Sequence, residues 1–545
     1  MLLKTTVLVR QLHQQASLYA STSSSRCAWC QTRSASSSAA PSVAQRHNRS
    51  ATLPPPQADL SDVLDNPELV KSNLRDRKFP LDLGKVDELR EMELEAVSLR
   101  KQLQDLRQRR NVVASLPKTD LDARKQGAEI KQLLKQLEPK LQQLNQAIQT
   151  IANQLPNLSH PKSPIGSEDF ATLVKTIGPS VDLNNESDRN RDHLGLTSPP
   201  NLGWTDFASS TVTTGSSWPL LTSSGAILEL ALVNYAISTV LSSDVGFKPV
   251  LTPDVVRTDI ADRCGFKPRD GEAQQTYFLS DGSGTSKGES GLCLVGTAEI
   301  PLVAMSAGQT FQQPDLPKKF IALGRAFRAE AGARGADSRG LYRVHQFSKV
   351  EMVVLCTEEQ SDDMLEQLRT IQERLLGDLG LSLRVLDMPT EELGASAHRK
   401  YDIEAWMPGR GKWGELSSAS NCTTYQARRL SIRYRPTVAS FDRLDKPPLE
   451  DLDIPTPAAL EATALYPPQT GSAQFASAKL KYVHTLNATA AAVPRLIVAL
   501  VENGVVLDQA GKVDKVRLPK VLEKFWLGPV DPVIEWVPTG ESLKK

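Results

Sequence analysis

The chain has 545 residues, of which 40% are hydrophobic and 23% are charged, so it can bury a sizeable core and is not a wholly disordered protein. Its 64 Lys and Arg residues nearly balance its 63 Asp and Glu residues and leave a formal net charge of +1, which excludes a uniformly basic nucleic-acid coat protein. Polar residues interrupt every apolar run before the roughly 18 residues that a membrane-spanning helix needs, so we expect no membrane partner.

The six cysteines are too sparse for a disulfide scaffold. Cys27 and Cys30 form a lone C-x-x-C without a second pair of ligands, and we therefore expect no zinc site. The remaining cysteines are scattered, which is typical of buried thiols in a reducing compartment. They are Cys264, Cys293, Cys356 and Cys422.

Residues 1–58 differ in charge from the rest of the chain. They contain no Asp or Glu, since the first acidic residue is Asp59, but they contain six basic residues and eleven serines. An acid-free segment rich in Arg and Ser is typical of an organelle transit peptide. We predict a disordered transit peptide over 1–58 that directs the protein to the mitochondrial matrix. A disordered tail without an address is the alternative.

Two helical runs follow in the region from about 85 to 155. In both runs the apolar residues recur at alternating spacings of four and three, the 3.5-residue period of a coiled coil. Pro117 breaks the first helix and Asp120 can cap the next one, so we expect a coiled-coil arm of two antiparallel helices. The arm belongs to an N-terminal domain over 59–157, and Pro139 is expected to interrupt and kink its second helix. The seam residues are Met92, Ala96, Leu99, Leu103, Leu106, Val113, Ile130, Leu134, Leu137, Leu141, Leu144, Ile148, Ile151 and Leu155.

The distal half of the arm is basic. Between residues 100 and 125 there are eight basic and three acidic residues. This surplus predicts a surface that binds an RNA phosphate backbone through salt-dependent contacts. A solvated coiled-coil face and a dimerisation seam are the alternatives. The basic residues are Arg100, Lys101, Arg107, Arg109, Arg110, Lys118, Arg124 and Lys125.

After Pro156 the pattern changes to mixed helices and strands, and we assign 158–545 to a second, catalytic domain. A helical run precedes a strand that ends at Pro253. Farther on, alternating β-branched residues flank an Arg- and Gly-rich loop, as expected for a long hairpin over 324–351. Two insertions interrupt this domain. They are a Gly- and Ser-rich surface loop at 281–291, before the strand expected at Thr297, and a proline-rich, disordered stretch at about 436–477.

Five sequence phrases follow the helical arm in a fixed order. They are TAE from Thr297, FRAEAG from Phe327, RGLYRVHQFSKVE from Arg339, ELSSASNCT from Glu415 and YQARRL from Tyr425. Together they resemble the seryl-tRNA synthetases, which are class II aminoacyl-tRNA synthetases, over roughly 59–435 and 480–525. The resemblance implies an α+β fold in which helices flank an antiparallel sheet, preceded by the long two-helix arm.

The same resemblance implies the partners of the protein. They are ATP, Mg²⁺, L-serine and tRNA(Ser), used by an enzyme of the mitochondrial type. It also implies a homodimer formed through the first class II signature, the strand that ends at Pro253. That proline could equally be only the terminator of an edge strand.

Amino-acid activation can be considered from its chemistry. A carboxylate, already a nucleophile, attacks the α-phosphorus of ATP, so the reaction depends on positioning and charge neutralisation and needs no general base. Such a site needs an arginine clamp, a carboxylate that holds Mg²⁺ and a flat surface for adenine. By resemblance, the catalytic residues Arg328 and Glu330 bridge the serine carboxylate to the α-phosphate and place the nucleotide. Phe347 and Arg495 would sandwich the adenine.

The resemblance also assigns the rest of the ATP site. Glu415 and Ser418 would hold the metal ion and the phosphates, and we interpret His345 as a brace of the adenine pocket rather than a general base. Without the family context, Phe347 could be a core residue and Glu415 a solvated strand end. The residues predicted to bind ATP are Arg328, Ala329, Glu330, Val344, His345, Phe347, Glu415, Leu416, Ser417, Ser418 and Arg495.

A serine site needs buried polar partners for an ammonium group and a hydroxyl group. Such a site rejects alanine, because its own polar groups would stay unpaired. Glu351 lies in an apolar, β-branched strand, which favours this role over that of a surface ion pair. The residues that the resemblance assigns to serine are Thr297, Ala298, Glu299, Arg328, Glu351, Asn487 and Thr489.

The third family signature is altered. The usual Asn-Gly-Ser-Gly-x-x-x-Gly-Arg runs here from Asn487 to Arg495, with Ala488, Ala490 and Pro494 in place of glycines and Thr489 in place of serine. Alanine lets a backbone approach a ligand less closely than glycine does, so we expect a changed serine pocket. Two alternatives therefore stay open. One is the charging of another small amino acid, and the other is a catalytically altered, synthetase-like RNA-binding protein.

Overall fold

The computed structural model describes residues 53–117, 119–181, 188–266, 275–279, 291–330, 339–437, 479–538 and 541–543. The predicted transit peptide lies outside these residues, apart from its C-terminal end. The predicted disorder of 1–58 and of 436–477 and the predicted loop at 281–291 likewise fall almost wholly outside them, and so does Lys118.

Helices and strands alternate irregularly along the described chain. The α-helices are α1 (Ser61–Asp65), α2 (Pro67–Asp76), α3 (Gly84–Ala114), α4 (Leu121–Ala152), α5 (His193–Thr197), α6 (Phe207–Thr213), α7 (Ser223–Leu241), α8 (Thr258–Arg263), α9 (Glu299–Ala304), α10 (Ser361–Gly377), α11 (Tyr425–Leu430) and α12 (Val493–Gly504). The strands are β1 (Thr172–Ile177), β2 (Thr205–Asp206), β3 (Leu220–Leu221), β4 (Lys248–Leu251), β5 (Val255–Arg257), β6 (Phe278–Leu279), β7 (Leu292–Leu294), β8 (Thr310–Gln312), β9 (Lys318–Phe327), β10 (Gln346–Cys356), β11 (Leu383–Asp387), β12 (Arg399–Met407), β13 (Lys412–Asn421), β14 (Arg433–Arg435), β15 (Lys481–Tyr482), β16 (His484–Ala492), β17 (Val505–Leu507), β18 (Val513–Pro519) and β19 (Ile534–Val537).

The helices α3 and α4 form the antiparallel hairpin that the apolar spacing predicts. Asp120 caps α4, since its carboxylate accepts hydrogen bonds from two backbone N–H groups at 2.9 and 3.0 Å. All the predicted seam residues are buried or partly buried along the hairpin. An ion pair of 2.8 Å between Glu95 and Lys140 also crosses it. The short helices α1 and α2 pack across the base of the hairpin and complete an apolar cluster there.

The expectation that Pro139 interrupts the second helix is wrong. The helix α4 continues without a break from Leu121 to Ala152, with Pro139 inside it. Pro139 is exposed, so water can satisfy the carbonyl group that loses its N–H partner. The flanking residues Leu137 and Leu141 stay packed against α3, and this tertiary packing outweighs the low helix propensity of one proline.

The second domain is built on an eight-stranded sheet with the order β1-β11-β12-β13-β16-β10-β9-β4. Neighbouring strands are antiparallel except β9 and β4, which are parallel. The helices α7, α10 and α12 pack on the sheet and enclose the main apolar core. The strands β9 and β10 pair antiparallel, from Lys318 opposite Leu355 to Phe327 opposite Gln346. This pairing confirms the predicted hairpin.

Among the described residues, α7 is the helix that is long and apolar enough to cross a membrane. Half of its apolar stretch is buried inside the protein. Leu228, Leu232 and Ala236 on this helix are fully buried in the main core. Packing against the sheet therefore accounts for the apolar character of α7.

Smaller sheets lie at the edges of this domain. The strands β14 and β15 pair antiparallel, so the chain that leaves at the proline-rich insertion returns beside its point of departure. At the C-terminus β17, β18 and β19 form a second sheet. Leu543 is buried in the main core, and the segment after Trp526 therefore belongs to the folded domain.

A buried arginine joins the N-terminal domain to the sheet domain. Arg77, directly after α2, is 1% exposed, and its guanidinium group donates to the carbonyl groups of Asn157, Ala397, Leu393 and Gly394 at 2.5–3.2 Å. The Asn157 side chain in turn donates to two carbonyl groups of the sheet domain at 2.9 Å. These bonds fix the base of the arm on the sheet domain.

We predict that Arg77→Ala lowers the free energy of unfolding by about 3 kcal/mol, because it leaves buried carbonyl groups without donors. Arg75→Ala is the matched control, since Arg75 lies two residues earlier, in the last turn of α2, and is exposed. Denaturant unfolding measures both variants. Equal stability of the two variants would contradict this role of Arg77.

Candidate active site

A cavity of about 100 Å³ opens where β13 and β16 separate. These two strands pair only between residues 419–421 and 486–488. Beyond these pairs the ladder stops, and residues of both strands line the cavity. The helix α12 begins directly after β16 and adds Arg495 to the wall. The predicted site residues that line the cavity are Arg328, Glu330, Val344, Phe347, Glu415, Leu416, Ser418, Thr489 and Arg495.

Arg328, Arg495 and Glu415 line this cavity, together with Arg343 and Glu330. Arg495 donates to the backbone carbonyl group of Glu415 at 3.0 Å and to its carboxylate at 3.2 Å. Burial would raise the pKa of Glu415, but the charges of Arg495 and Lys400 and the hydrogen bond from Arg495 outweigh it, so the pKa lies below its ordinary value. Burial, followed by the charge of Arg495, lowers the pKa of Arg328. Two guanidinium groups held this close suit an anionic ligand.

The strand β10 brings three different side chains to one face of the sheet. Side chains alternate along a strand, so Phe347, Lys349 and Glu351 point the same way. Phe347 offers a flat apolar surface, and the guanidinium group of Arg328 lies 5.3 Å from the centre of its ring. Lys349 forms an ion pair with Glu351, which is 2% exposed.

A buried polar cluster lies next to Lys349. The hydroxyl group of Thr297 donates to Glu351 at 2.9 Å, and Thr489, which lines the cavity, is the cross-strand neighbour of Glu351. Thr297 lies between β7 and α9 rather than in a strand, so the expected strand at this position is wrong. The turn allows the Thr297 hydroxyl group to reach a carboxylate on β10.

Glu299 is a second acidic group of this cluster. Its carboxyl group accepts hydrogen bonds from the side-chain amides of Gln426 at 2.6 Å and Asn487 at 3.0 Å. Burial raises the pKa of Glu299 to about 7, although the hydrogen bond from Gln426 opposes this shift. A cation placed beside Glu299 would favour its charged form.

Besides Thr297, Glu299, Glu351 and Asn487 of the polar cluster, four more predicted residues contact the protein rather than the cavity. Ala298 packs in a second apolar cluster, and the N–H group of Ala329 donates to the carbonyl group of Gln275. The Ser417 hydroxyl group donates to the carbonyl group of Thr489 at 2.6 Å. The His345 ring stacks on Trp218, and its Nδ1 lies 3.0 Å from the carbonyl oxygen of Arg328. These residues pack and hydrogen-bond within the protein behind the residues that line the cavity.

The altered third signature changes both the core side of β16 and the wall of the cavity. Ala488 and Ala490 are at most 1% exposed and belong to the main apolar core. Of the four replaced positions, Thr489 and Pro494 line the cavity. The methyl groups that stand in place of glycine hydrogens therefore pack against other core side chains.

Known proteins share these features. Residues 281–440 match the family model described as the tRNA synthetase class II core domain (G, H, P, S and T), and 58–159 match the seryl-tRNA synthetase N-terminal domain. A serine–tRNA ligase of Treponema denticola is 36% identical over 470 residues, which cover 85% of this chain and 98% of that protein. The chain belongs to the seryl-tRNA synthetase family.

Mitochondrial members of the seryl-tRNA synthetase family are similar to the same degree. The mitochondrial serine–tRNA ligase of Schizosaccharomyces pombe is 35% identical, covering 85% of this chain and 88% of that protein. The corresponding protein of Saccharomyces cerevisiae is 33% identical, covering 88% and 97%. The crystal structure of the seryl-tRNA synthetase from Pyrococcus horikoshii complexed with ATP matches with a TM-score of 0.70 and 31% identity, covering 87% of this chain and all of that one. The predicted family and class II fold are confirmed.

Sequence reasoning missed several residues of this synthetase site. Lys349 and Tyr342 line the cavity, and both stand in the phrase that carries the resemblance. The alternation along β10 places Lys349 between Phe347 and Glu351 on one face, so this signal was available. Gln426 donates to Glu299 from α11, and nothing in the local sequence indicates that contact.

A buried His–Glu pair supports the cavity wall at Leu341 and Tyr342. Glu502 on α12 is fully buried, and its carboxylate lies 2.9 Å from Nδ1 of His193 and accepts from the N–H group of Gly409 at 2.9 Å. The other ring nitrogen of His193 accepts from the N–H group of Leu341 at 3.1 Å. Within the described residues, Asp192, His193 and Glu502 are the group with metal-ligand spacing. Since both nitrogens of His193 are engaged, we interpret this group as structural.

The basic residues predicted on the arm are at its surface. Arg100 pairs with Glu93 at 2.7 Å and Arg107 with Glu138 at 2.9 Å. The described members of the set are all exposed. They are Arg100, Lys101, Arg107, Arg109, Arg110, Arg124 and Lys125.

Proposed function

We propose that this synthetase activates L-serine with ATP to form seryl-adenylate and then transfers the seryl group to the 3′ end of tRNA(Ser). The observation that carries the proposal is that an arginine-lined cavity lies next to a buried polar cluster. Arg328 suits the phosphates of ATP and Arg495, opposite Phe347, suits its adenine, and the adjacent Thr297–Glu351 hydrogen bond suits a small polar amino acid. The serine–tRNA ligases to which the chain is similar support the same activity.

The first step forms a bond between a serine carboxylate oxygen and the α-phosphorus of ATP and breaks the bond to pyrophosphate. Arg328 bridges these two groups and neutralises charge as the phosphorus becomes more crowded. Glu330, which pairs with Arg343 at 3.3 Å, places the nucleotide beside it. A carboxylate needs no activation, and therefore no side chain has to remove a proton in this step.

The adenine lies between Phe347 and Arg495 in this proposal. The guanidinium group of Arg328 leaves the Phe347 ring when the nucleotide enters and turns to the α-phosphate. Glu415 and Ser418 would hold Mg²⁺, since a charged carboxylate and a hydroxyl oxygen are the hard ligands that this ion prefers. Bound there, the ion neutralises phosphate charge.

Serine binds beside this nucleotide, at the cluster around Thr297. Glu299 faces the ammonium group, while Glu351 and Thr489 take the hydroxyl group. Alanine leaves these buried polar groups unpaired, and a site of this kind discriminates by about 10⁴-fold or more against a substrate that lacks the hydroxyl. The alanine substitutions of the third signature pack in the core, so no observation favours another small amino acid as the substrate.

The arm is proposed to grip tRNA(Ser) through its exposed basic residues. An RNA duplex is recognised mainly by shape and by its backbone, which suits a row of flexible cationic side chains. The coiled-coil hairpin carries these residues away from the cavity, so the arm and the cavity can contact distant parts of one tRNA.

We also propose that the protein works in the mitochondrial matrix. The acid-free segment 1–58 and the similarity to two fungal mitochondrial ligases support this location. A reporter fused to residues 1–58 tests it, and a reporter that stays in the cytosol would contradict it.

A homodimer through β4 is proposed as the assembly. The strand β4 lies at the edge of the large sheet, where Leu251 is 92% exposed and Leu230 on α7 is 45% exposed. A second copy would cover these apolar side chains. Sedimentation of the purified chain as a monomer at micromolar concentration would contradict this assembly.

We predict that the purified chain catalyses ATP–pyrophosphate exchange with serine and not with threonine or alanine, because only serine satisfies the Thr297 and Glu351 groups without a steric clash. The measurement is the exchange of labelled pyrophosphate into ATP with each amino acid. Exchange with alanine or threonine at the rate for serine would contradict the assigned substrate, and no exchange at all would indicate a synthetase-like RNA-binding protein.

We predict that the affinity for serine falls as the pH falls below 7. Burial holds the pKa of Glu299 at about 7, above its ordinary value of 4.5, so below pH 7 the free protein carries a proton there that the ammonium group must displace. The KM for serine should then rise by up to about tenfold per pH unit.

Glu299→Gln is the control for this pH dependence. The neutral amide binds the ammonium group weakly at every pH, so its KM for serine should be high and flat between pH 5.5 and 7.5. A flat profile for the unmodified protein would show that Glu299 does not face the ammonium group.

We predict that the double substitution Arg109→Gln and Arg110→Gln raises the KM for tRNA(Ser) and leaves ATP–pyrophosphate exchange unchanged. Two lost phosphate contacts should also reduce the slope of log affinity against log salt concentration by about 1–2. Lys512→Gln with Lys520→Gln, two exposed positions outside the arm, is the matched control. An equal effect of both pairs on tRNA would contradict the role of the arm.

A further inference from the structure

The ladder between the two strands that flank the cavity ends where the cavity opens. The last pair of the ladder joins Ala419 of β13 to Ala488 of β16. Ser418 and Thr489 would form the next pair, but the ladder ends before it. Both residues line the cavity, and the proposed function assigns Ser418 to the phosphates and Thr489 to serine.

One side chain from the helix layer spans this break. The amide nitrogen of Gln372 on α10 donates to the carbonyl group of Ser418 at 2.8 Å and to that of Thr489 at 2.9 Å. The hydroxyl group of Ser417 donates to the same Thr489 carbonyl group at 2.6 Å. Gln372 is 1% exposed, so water does not compete for these bonds. The amide thus ties the two strands together where the ladder ends.

The surroundings make a glutamine at this position costly for stability. It interrupts the apolar face of α10, whose residues Leu368, Ile371 and Leu375 pack in the core. Its amide oxygen is buried and has no hydrogen-bond partner among the residues that the structure describes, which destabilises the fold. A residue that breaks a local rule in this way is expected where function requires it.

We propose that Gln372 is a positioning residue that fixes the distance between the nucleotide side and the serine side of the cavity. The inference rests on the proposed function and adds a residue that does not touch either substrate. Without Gln372, ATP and serine each still bind, to the nucleotide side and the serine side of the cavity respectively. The serine carboxylate and the α-phosphorus are then misaligned, and a displacement of about 1 Å can lower a rate by about 100-fold.

Gln372→Met tests this proposal, because methionine fills a similar volume and has no donor. In ATP–pyrophosphate exchange, kcat should fall by about 10- to 100-fold, while the KM values for ATP and serine change by less than about threefold. Gln367→Met is the matched control. Gln367 lies on the same helix, but its side chain accepts a hydrogen bond from Lys319 of β9 and does not bridge β13 and β16. Its kcat should stay within twofold of the unmodified chain.

Gln372→Glu is the second variant, in case methionine prevents folding. Glutamate keeps the length and polarity but, when charged, repels both carbonyl groups, so kcat should fall again. A folded variant of either kind with unchanged kcat would overturn the proposal. Loss of kcat only in proportion to the unfolded fraction, followed by circular dichroism, would also overturn it. Absence of exchange in the unmodified chain would instead contradict the proposed function.

Discussion

The early end of the ladder between β13 and β16 is the constraint on which the rest of the site depends. A sheet buried in an apolar core must satisfy every backbone group that its ladder leaves unpaired. Here side chains satisfy them, with Gln372 and Ser417 beneath the break. Arg495 holds the carbonyl group of Glu415 from the side. The cavity can therefore stay open without leaving these carbonyl groups unpaired.

The three carboxyl groups of the proposed site have different partners, and each set of partners suits the ligand that we assign to that group. Glu415 has Arg495 as its partner and stays ionised, which suits a metal ligand. Glu351 has Lys349 and the Thr297 hydroxyl group. Glu299 has direct hydrogen bonds from neutral amides and keeps a raised pKa. Of the three, Glu299 is the carboxyl group whose pKa burial holds above its ordinary value, and it is the one that we assign to the ammonium group of the proposed substrate.

The sequence was informative where function depends on short phrases and on periodicity. The hairpin of β9 and β10 and the two-helix arm follow from alternation and from the 3.5-residue period, and both are present. Pro139 was misjudged because propensity ignores the packing of its neighbours. Gln372, and the pairing of His193 with Glu502, could not be predicted, since each joins residues far apart in the chain through contacts that only the assembled fold creates.

The central claim is that one cavity between the two separated strands holds both halves of the adenylate. A crystal structure with a non-hydrolysable analogue of seryl-adenylate tests it most directly. We expect the adenine on the Phe347 ring, the phosphate mimic at Arg328 and the serine hydroxyl group within hydrogen-bond distance of Glu351. An analogue bound elsewhere, or bound with its seryl group turned away from Thr297 and Glu351, would contradict this account.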